Sequence, residues 1–165
     1  MVGVTASGRS PYVLCGFGFA RLQGCLTVAV ACSRPAAVSQ VAETSILAPV
    51  GAEVLSGSTR LKAGTAQTMI LNMLSTGVMV QLGKTYGNLM VDVIPTNQKL
   101  LGRALRILPQ CAGIDEDKAI SLLVACKLEV KTAIVVGRLG CSAQEARATR
   151  ANANGMLRQV LGENG

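Results

Sequence analysis

A chain of 165 residues has room for one domain, or for one domain with a small appendage. Half of its residues are hydrophobic, but it has only two Phe, two Tyr and no Trp, so Ala, Val, Leu and Ile must fill the core, and this composition favours an α/β protein over an all-β sandwich. The formal charge of +7 suggests an anionic partner, yet the basic residues are scattered singly without interleaved aromatics, which argues against nucleic-acid binding.

The chain begins with the pattern of a strand, a loop and a helix. Val2–Thr5 is an apolar, β-branched run that predicts a short buried strand. Pro11 suits the first turn of a helix that extends to about Leu22, and Ser10 is a natural N-cap for that helix. The loop between strand and helix contains small residues and one arginine.

Two more strands are predicted downstream. Gly24 ends the first helix, and residues 25–31 form an apolar run typical of a second strand. A third strand is expected at residues 44–50, after the loop around Pro35. Two strands that are linked by a helix imply a parallel arrangement, so we expect a parallel sheet.

The middle of the chain predicts one long helix. Residues 51–59 form a glycine-punctuated loop that offers Ser58 or Thr59 as a helix cap. Apolar residues then recur at helical spacing over residues 60–82. Gly83 ends this pattern.

The remainder of the chain is predicted to be mainly helical. Residues 85–93 are expected to be extended or irregular, and Pro95 with Thr96 is expected to open a helix that ends near Pro109. After Gly113 the pattern predicts a small bundle of short helices, with Asp115 and Ser142 as caps.

A domain boundary is predicted near Ala112. It divides the chain into residues 1–112, with the parallel sheet and the long helix, and residues 113–165, a small helical subdomain.

The cysteine and histidine content excludes several kinds of site. There is no histidine and no CxxC pair, so zinc sites of Cys/His type and histidine-based catalytic triads are excluded from this chain. The six cysteines are expected to be free thiols in a reducing compartment. No stretch approaches the ~20 apolar residues of a membrane span.

The loop "TASGRSP" has the composition of an anion site. It follows a strand at the carboxyl end of a predicted parallel sheet, and small residues there let a ligand approach the backbone. Ser7 and Ser10 add hydroxyl donors, and the following helix presents free N–H groups. A Ser-Gly turn before a helix is more often only a capped loop with no ligand, so the residues alone favour that interpretation and leave the anion site as the alternative.

Two other polar segments stand out. The segment "GAEVLSGSTRLKAGTAQ" combines Glu53 with hydroxyls and cations at a helix start, which suits either a binding site or ordinary capping. The run "YGNLMVDVIPTN" embeds polar side chains in an apolar sequence, and we interpret them as structural: Asn88, Asp92 and Asn97. No acidic residue precedes Glu43, so the first loop lacks a nearby general acid or base.

The segment "ASGRSPYV" and the tract from Gly51 to Leu100 resemble the N-acetylmuramic acid 6-phosphate etherases, which have the sugar isomerase (SIS) fold. The tail containing "KTAIVV" also resembles the C-terminal helical region of that family. The resemblance implies a partial SIS-type three-layer α/β sandwich with a parallel sheet, followed by a small helical subdomain.

The resemblance also implies an activity. Such enzymes are cytoplasmic lyases, without metal or organic cofactor, that convert N-acetylmuramic acid 6-phosphate to N-acetylglucosamine 6-phosphate and D-lactate. They serve the recycling of cell-wall amino sugars and look dimeric. The expected partner is therefore the phosphosugar and a second copy of the chain, with no membrane and no nucleic acid.

Site residues follow from the same resemblance. The loop residues expected to contact the phosphate are Ser7, Gly8, Arg9 and Ser10. The residues expected to line the sugar site, in the same or a neighbouring subunit, are Glu53, Ser58, Thr59 and Lys62. Glu53 is the only local carboxylate that could assist proton transfer.

The chain departs from the family in length. Its members are nearly twice as long, and the first phosphate loop, of the type "GAGTSGR", and the catalytic glutamates do not occur in this sequence. We therefore expect a C-terminal portion of an etherase that is inactive alone and prone to aggregate. Two alternatives remain: a phosphosugar-binding regulatory protein similar to the glucokinase regulatory proteins, and a purely structural oligomerisation fragment.

Overall fold

A computed structural model describes residues 1–163. The elements follow the chain in this order: β1 (Val2–Thr5), α1 (Pro11–Leu22), β2 (Val28–Ala31), α2 (Val38–Val41), β3 (Thr44–Leu47), α3 (Lys62–Gln81), β4 (Thr85–Tyr86), β5 (Leu89–Met90), α4 (Gln98–Ala112), α5 (Glu116–Ala125), α6 (Val130–Leu139), α7 (Ala143–Asn152) and α8 (Leu157–Val160).

The chain divides into two compact units within α3. The first unit covers Met1–Ser75 and the second begins at Thr76. The predicted boundary near Ala112 coincides with the end of α4, inside the second unit, and it stays a prediction about domain organisation.

The first unit contains the parallel sheet expected from the sequence. Its strand order is β1-β2-β3, and both pairings are parallel, with Thr5 opposite Ala31 and Ala31 opposite Leu47. The predicted α/β class is therefore confirmed. The third strand is shorter than predicted: it ends at Leu47, two residues before Pro49, which has no N–H to donate to a ladder.

Helix α1 packs closely on the sheet because the residues beneath it are small. Phe17 is fully buried, together with Val13 on the preceding turn. A Cβ placed on Gly3 would lie 2.4 Å from Cζ of Phe17, so only glycine at this position of β1 leaves space for the ring. Ala29 and Ala31 of β2 belong to the same apolar cluster.

The segment between α3 and α4 differs in detail from the expected one. Residues 85–90 form a two-stranded antiparallel hairpin, β4–β5, where an extended or irregular segment was predicted. Helix α4 begins at Gln98 because Asn97 is extended and its Oδ1 accepts the N–H of Leu100 at 2.9 Å. The predicted start at Pro95 and Thr96 is therefore wrong by two to three residues, and Pro109 lies inside the helix rather than at its end.

The second unit has the helical core that the sequence predicts. Leu108 of α4, Leu123 of α5 and Ile134 of α6 are almost fully buried in one cluster. The two predicted caps are confirmed: Asp115 accepts the N–H of Lys118 at 2.8 Å, and Ser142 forms a capping box with Glu145.

A buried lysine lies within this second unit. The Lys131 side chain, in the first turn of α6, is only 4% exposed, and its Nζ lies 3.9 Å from Oδ2 of Asp92. Lys84 also pairs with Asp92, so two ammonium groups share one carboxylate. Loss of solvent lowers the pKa of Lys131 below its ordinary value of 10.5, and the positive charges of Arg150 and Lys84 lower it further. The carboxylate of Asp92 acts in the opposite direction and raises this pKa.

The replacement Lys131→Met tests this burial. The folded protein holds the Lys131 proton less tightly than the unfolded chain, so stability should rise with pH between the lowered folded pKa and the ordinary value near 10.5. The variant should lack that rise and should unfold at pH 7 with a free energy about 1 kcal/mol higher than the parent, because the buried charge is gone while Asp92 keeps Lys84.

The measurement is urea unfolding of both proteins at pH 7 and pH 10, with the difference between the two proteins compared at each pH. An unchanged difference would mean that Lys131 is not desolvated in the folded state.

Candidate functional site

The carboxyl ends of the three parallel strands meet at one edge of the first unit. We call this the carboxyl edge; it comprises residues 6–10 after β1, residues 32–37 after β2 and the segment that follows β3. The N–H of Cys32 donates to the Ala6 carbonyl at 3.0 Å, and the N–H of Val50 donates to the Cys32 carbonyl at 3.3 Å. Backbone hydrogen bonds therefore join the segments that follow β1, β2 and β3.

The loop of residues 6–10, here the serine loop, is held in a tight conformation. Gly8 has φ of +71°, and a Cβ at this position would lie 2.5 Å from Cβ of Ala36. The Gly8 carbonyl accepts the N–H of Val38 at 3.0 Å, and the Ser33 hydroxyl donates to the Ser7 carbonyl at 2.8 Å. The backbone of the serine loop is thus fixed by the segment after β2.

The hydroxyls of the serine loop are arranged differently from one another. Ser10 occupies the N-cap position of α1, as predicted, but its hydroxyl makes no cap bond and instead lies 2.8 Å from Oγ1 of Thr5. Ser7 is exposed, and its Oγ accepts the N–H of Arg9 at 3.3 Å. An exposed hydroxyl, an exposed guanidinium and the N-terminus of a 12-residue helix together suit an anionic ligand.

Glu53 lies after β3, and both of its carboxylate oxygens are engaged at the start of α3. Oε2 accepts the N–H of Lys62 and Oε1 accepts the N–H of Ala63, each at 3.0 Å. These two bonds lower the pKa of Glu53, so the carboxylate stays ionised at neutral pH and is a weak proton acceptor. The predicted cap at Ser58 or Thr59 is therefore wrong, because Glu53 satisfies the first N–H groups of α3 instead.

The other residues predicted here lie in the same segment. Ser58 Oγ accepts the N–H of Arg60 at 3.3 Å, the Thr59 carbonyl accepts the N–H of Gly64 at 3.0 Å, and Lys62 Nζ donates to the Ala52 carbonyl at 2.7 Å. Glu53 and Ser58 line an open cavity of about 300 Å³ whose other walls are largely apolar, formed by Val54, Leu55, Arg60 and Leu61.

Cys32 connects the two groups of predicted residues and was not foreseen from the sequence. The N–H of Cys32 donates to the carbonyl of Ala6 in the serine loop. Its Sγ lies 3.6 Å from the carbonyl oxygen of Ala63, and the N–H of Ala63 in turn donates to Glu53. The thiol is 5% exposed, and burial raises its pKa. Its position directly after β2 is the signal that could have identified it.

In the segment of residues 86–97, Asp92 and Asn97 have the structural roles expected from the sequence. Asn97 caps α4, and Asp92 pairs with Lys84 and Lys131, so both side chains serve the second unit. All six cysteines are free in the structure. No helix in the described part of the chain combines the length and apolar character needed to cross a membrane.

Comparison with known proteins identifies a set of similar sequences. The chain is 49% identical over 161 residues to the N-acetylmuramic acid 6-phosphate etherase of Escherichia fergusonii, an alignment that covers 98% of this chain and 54% of that relative. It is 48% identical, with the same coverage, to the etherases of Escherichia coli O157:H7 and Shigella dysenteriae serotype 1. No protein-family model matches the chain.

These relatives confirm the resemblance found in the sequence. The similarity extends along nearly the whole chain, while the chain spans about half the length of the curated relatives it matches. This coverage is consistent with a C-terminal portion of such an etherase, and the parallel sheet followed by helices is consistent with a partial SIS-like fold.

Proposed function

We propose that this chain supplies part of the phosphosugar site of an N-acetylmuramic acid 6-phosphate etherase, a lyase of amino-sugar and cell-wall metabolism. The observation that carries this proposal is the 49% identity to an etherase over 98% of the chain. The carboxyl edge of a parallel sheet is where such folds bind ligands, and the serine loop there suits a phosphate.

Each predicted residue has a role in this proposal. Ser7, Ser10 and Arg9 hold the phosphate with the N-terminus of α1, and Gly8 supplies the turn that places the loop backbone beside the ligand. The residues of the Glu53 segment line the sugar: Glu53, Ser58, Thr59 and Lys62. The buried Cys32 lies between the two groups, bonded to Ala6 on one side and in contact with Ala63 on the other.

Cleavage of the ether needs a base and an acid, and Glu53 is poorly suited to either task. Both of its oxygens accept backbone N–H bonds, and its pKa is lowered. We propose that Glu53 positions the start of α3 and that glutamates in the portion of the etherases not spanned by this chain perform the proton transfers. The chain alone then binds the phosphosugar without converting it.

The proposal includes a cytoplasmic homodimer. The part of α3 in the first unit exposes several large apolar side chains: Met69, Leu71, Met73 and Leu74. Burial of such a surface against a second copy would remove apolar area from water, and its exposure would favour aggregation of an isolated chain.

Replacement of both serines of the loop, Ser7→Ala with Ser10→Ala, tests the phosphate site. We expect the affinity for N-acetylglucosamine 6-phosphate to fall at least tenfold, because two hydroxyl donors to a dianion are lost. Isothermal titration calorimetry measures this affinity. Ser75→Ala on α3 is the matched control, and it should bind like the parent. Unphosphorylated N-acetylglucosamine should bind neither protein, and equal binding by the double variant would contradict the assignment.

A binding-only regulatory protein is the second candidate, and the occupied oxygens of Glu53 favour it. The two candidates differ in whether a chain completed with the missing portion of an etherase releases D-lactate from N-acetylmuramic acid 6-phosphate. Release after such completion supports the etherase. Binding without release in the completed protein supports the regulator, and release by this chain alone would show that its own residues supply the acid and base.

A further inference from the structure

Helix α4 presents a face that is entirely cationic or amide-bearing. Lys99, Arg103, Arg106 and Gln110 recur at intervals of four, three and four residues, which places them along one side of the helix, and all four are exposed. The opposite side is buried in the core through Ala104 and Leu108. The helix contains no acidic residue.

The positive charge on this face is not balanced. Within residues 1–163, no carboxylate forms an ion pair with Lys99, Arg103 or Arg106. The carboxylates nearest in sequence are engaged elsewhere: Asp92 pairs with Lys84, and Asp115 with Lys118. Arg103 and Arg106 are three residues apart on one helix face, so their side chains are neighbours and can both bind one oxyanion.

Two cavities adjoin this face and share part of their walls. One, of about 360 Å³, is lined by Arg103, Arg106 and Ile107. The other, of about 490 Å³, is lined by Cys111 and Arg158. Asn88, Leu89 and Gln110 line both cavities. Their volumes lie in the range of small-molecule sites, and apolar side chains with a few amide and guanidinium groups are typical of such sites.

Among residues 1–163, the one carboxylate that lines the second cavity is Glu163, and it is already paired with a cation. Glu163 accepts a bond from Arg138 at 2.7 Å and from the Tyr86 hydroxyl at 2.6 Å. Arg158 on the same wall therefore adds a further cation. Both cavities favour a negatively charged occupant.

We propose that the groove formed by these two cavities, the α4 groove, binds a sugar-sized phosphate monoester. The phosphate lies against Arg103 and Arg106, the carbon skeleton packs on Leu89 and Ile107, and the amides of Asn88 and Gln110 bond its hydroxyls. This site is separate from the serine loop and does not depend on the function proposed above. Cavity volumes of this size favour a small molecule over an extended acidic peptide.

The test uses the full chain carrying Ser7→Ala and Ser10→Ala, so that binding at the serine loop is suppressed. Glucose 6-phosphate and inorganic phosphate are titrated while backbone amide NMR shifts are followed for β5 and α4. We expect saturable shifts at Asn88, Leu89 and Gln110 with glucose 6-phosphate, and weaker binding of inorganic phosphate because it lacks the carbon skeleton.

Arg103→Gln with Arg106→Gln should reduce the affinity at least tenfold, because both charge-assisted bonds are lost. The matched control removes two cations from another surface, Lys118→Gln with Lys127→Gln, and should change the affinity less than twofold. Absence of shifts in the α4 groove, equal loss in the control, or arginine-dependent binding of a glutamate heptapeptide but of no phosphate ester would each overturn the proposal. If the chain with the two serine replacements binds glucose 6-phosphate as tightly as the parent, and the added arginine replacements abolish that binding, the serine-loop proposal fails and the α4-groove proposal stands.

Discussion

The replacement Gly8→Ala is expected to destabilise the first unit by about 3 kcal/mol and to abolish phosphosugar binding at the serine loop. A non-glycine residue at φ of +71° costs about 1–2 kcal/mol, and the new Cβ would lie 2.5 Å from Cβ and 2.9 Å from Cα of Ala36, which adds about 1–3 kcal/mol of overpacking. Urea unfolding gives the stability, and calorimetric titration with N-acetylglucosamine 6-phosphate gives the affinity.

Gly18→Ala is the matched control for this change. Gly18 lies inside α1, and a Cβ there would meet nothing within 4 Å. Alanine should therefore stabilise the helix by about 0.5–1 kcal/mol and leave binding unchanged. A Gly8→Ala protein that unfolds at the parental urea concentration and still binds would show that the serine loop is not held as described.

Phe17→Ala should have the largest effect on stability of any single change in α1, a loss of about 3–5 kcal/mol in the free energy of unfolding. Phe17 is fully buried, and its ring fills the space above Gly3, so truncation leaves a cavity between α1 and β1. Because the serine loop connects these two elements, ligand affinity should fall as well.

Phe19→Ala provides the comparison, since Phe19 lies on the same helix and is 67% exposed. Its removal should change the free energy of unfolding by less than about 0.5 kcal/mol. Circular dichroism during urea titration measures both variants. Equal losses in the two would mean that α1 does not pack on the sheet through Phe17.

The elements that the sequence predicted well are those specified by local pattern. β1 and α1 have the predicted bounds because an apolar run, a proline and a glycine mark their ends within a few residues. Asp115 and Ser142 cap their helices because the acceptor and the N–H it serves are three residues apart.

The features that the sequence did not predict depend on contacts between distant residues. Glu53 accepts the N–H of Lys62, nine positions further along the chain, a partnership that no capping pattern encodes. Burial of Lys131 likewise arises from the packing of α6 near Asp92, since an isolated helix would expose that side chain.

The candidate site was predictable in composition but not in arrangement. Residue types alone indicated that Ser7, Gly8 and Ser10 suit an anion. They could not indicate that the Ser10 hydroxyl turns to Thr5, which depends on the conformation of the loop. Nor could they indicate that Cys32 joins the serine loop to α3, which depends on β2 lying beside β1 in the sheet.

The burial of Cys32 has a practical consequence for the chemistry of thiols in this chain. The thiolate is the reactive form of cysteine, and burial both shields this sulfur and disfavours its ionisation. Cys15 and Cys25 are exposed by contrast. Alkylating reagents should therefore modify those two sulfurs rapidly and reach Cys32 only when the strand ends separate, so that the modification rate of Cys32 measures how often the carboxyl edge opens.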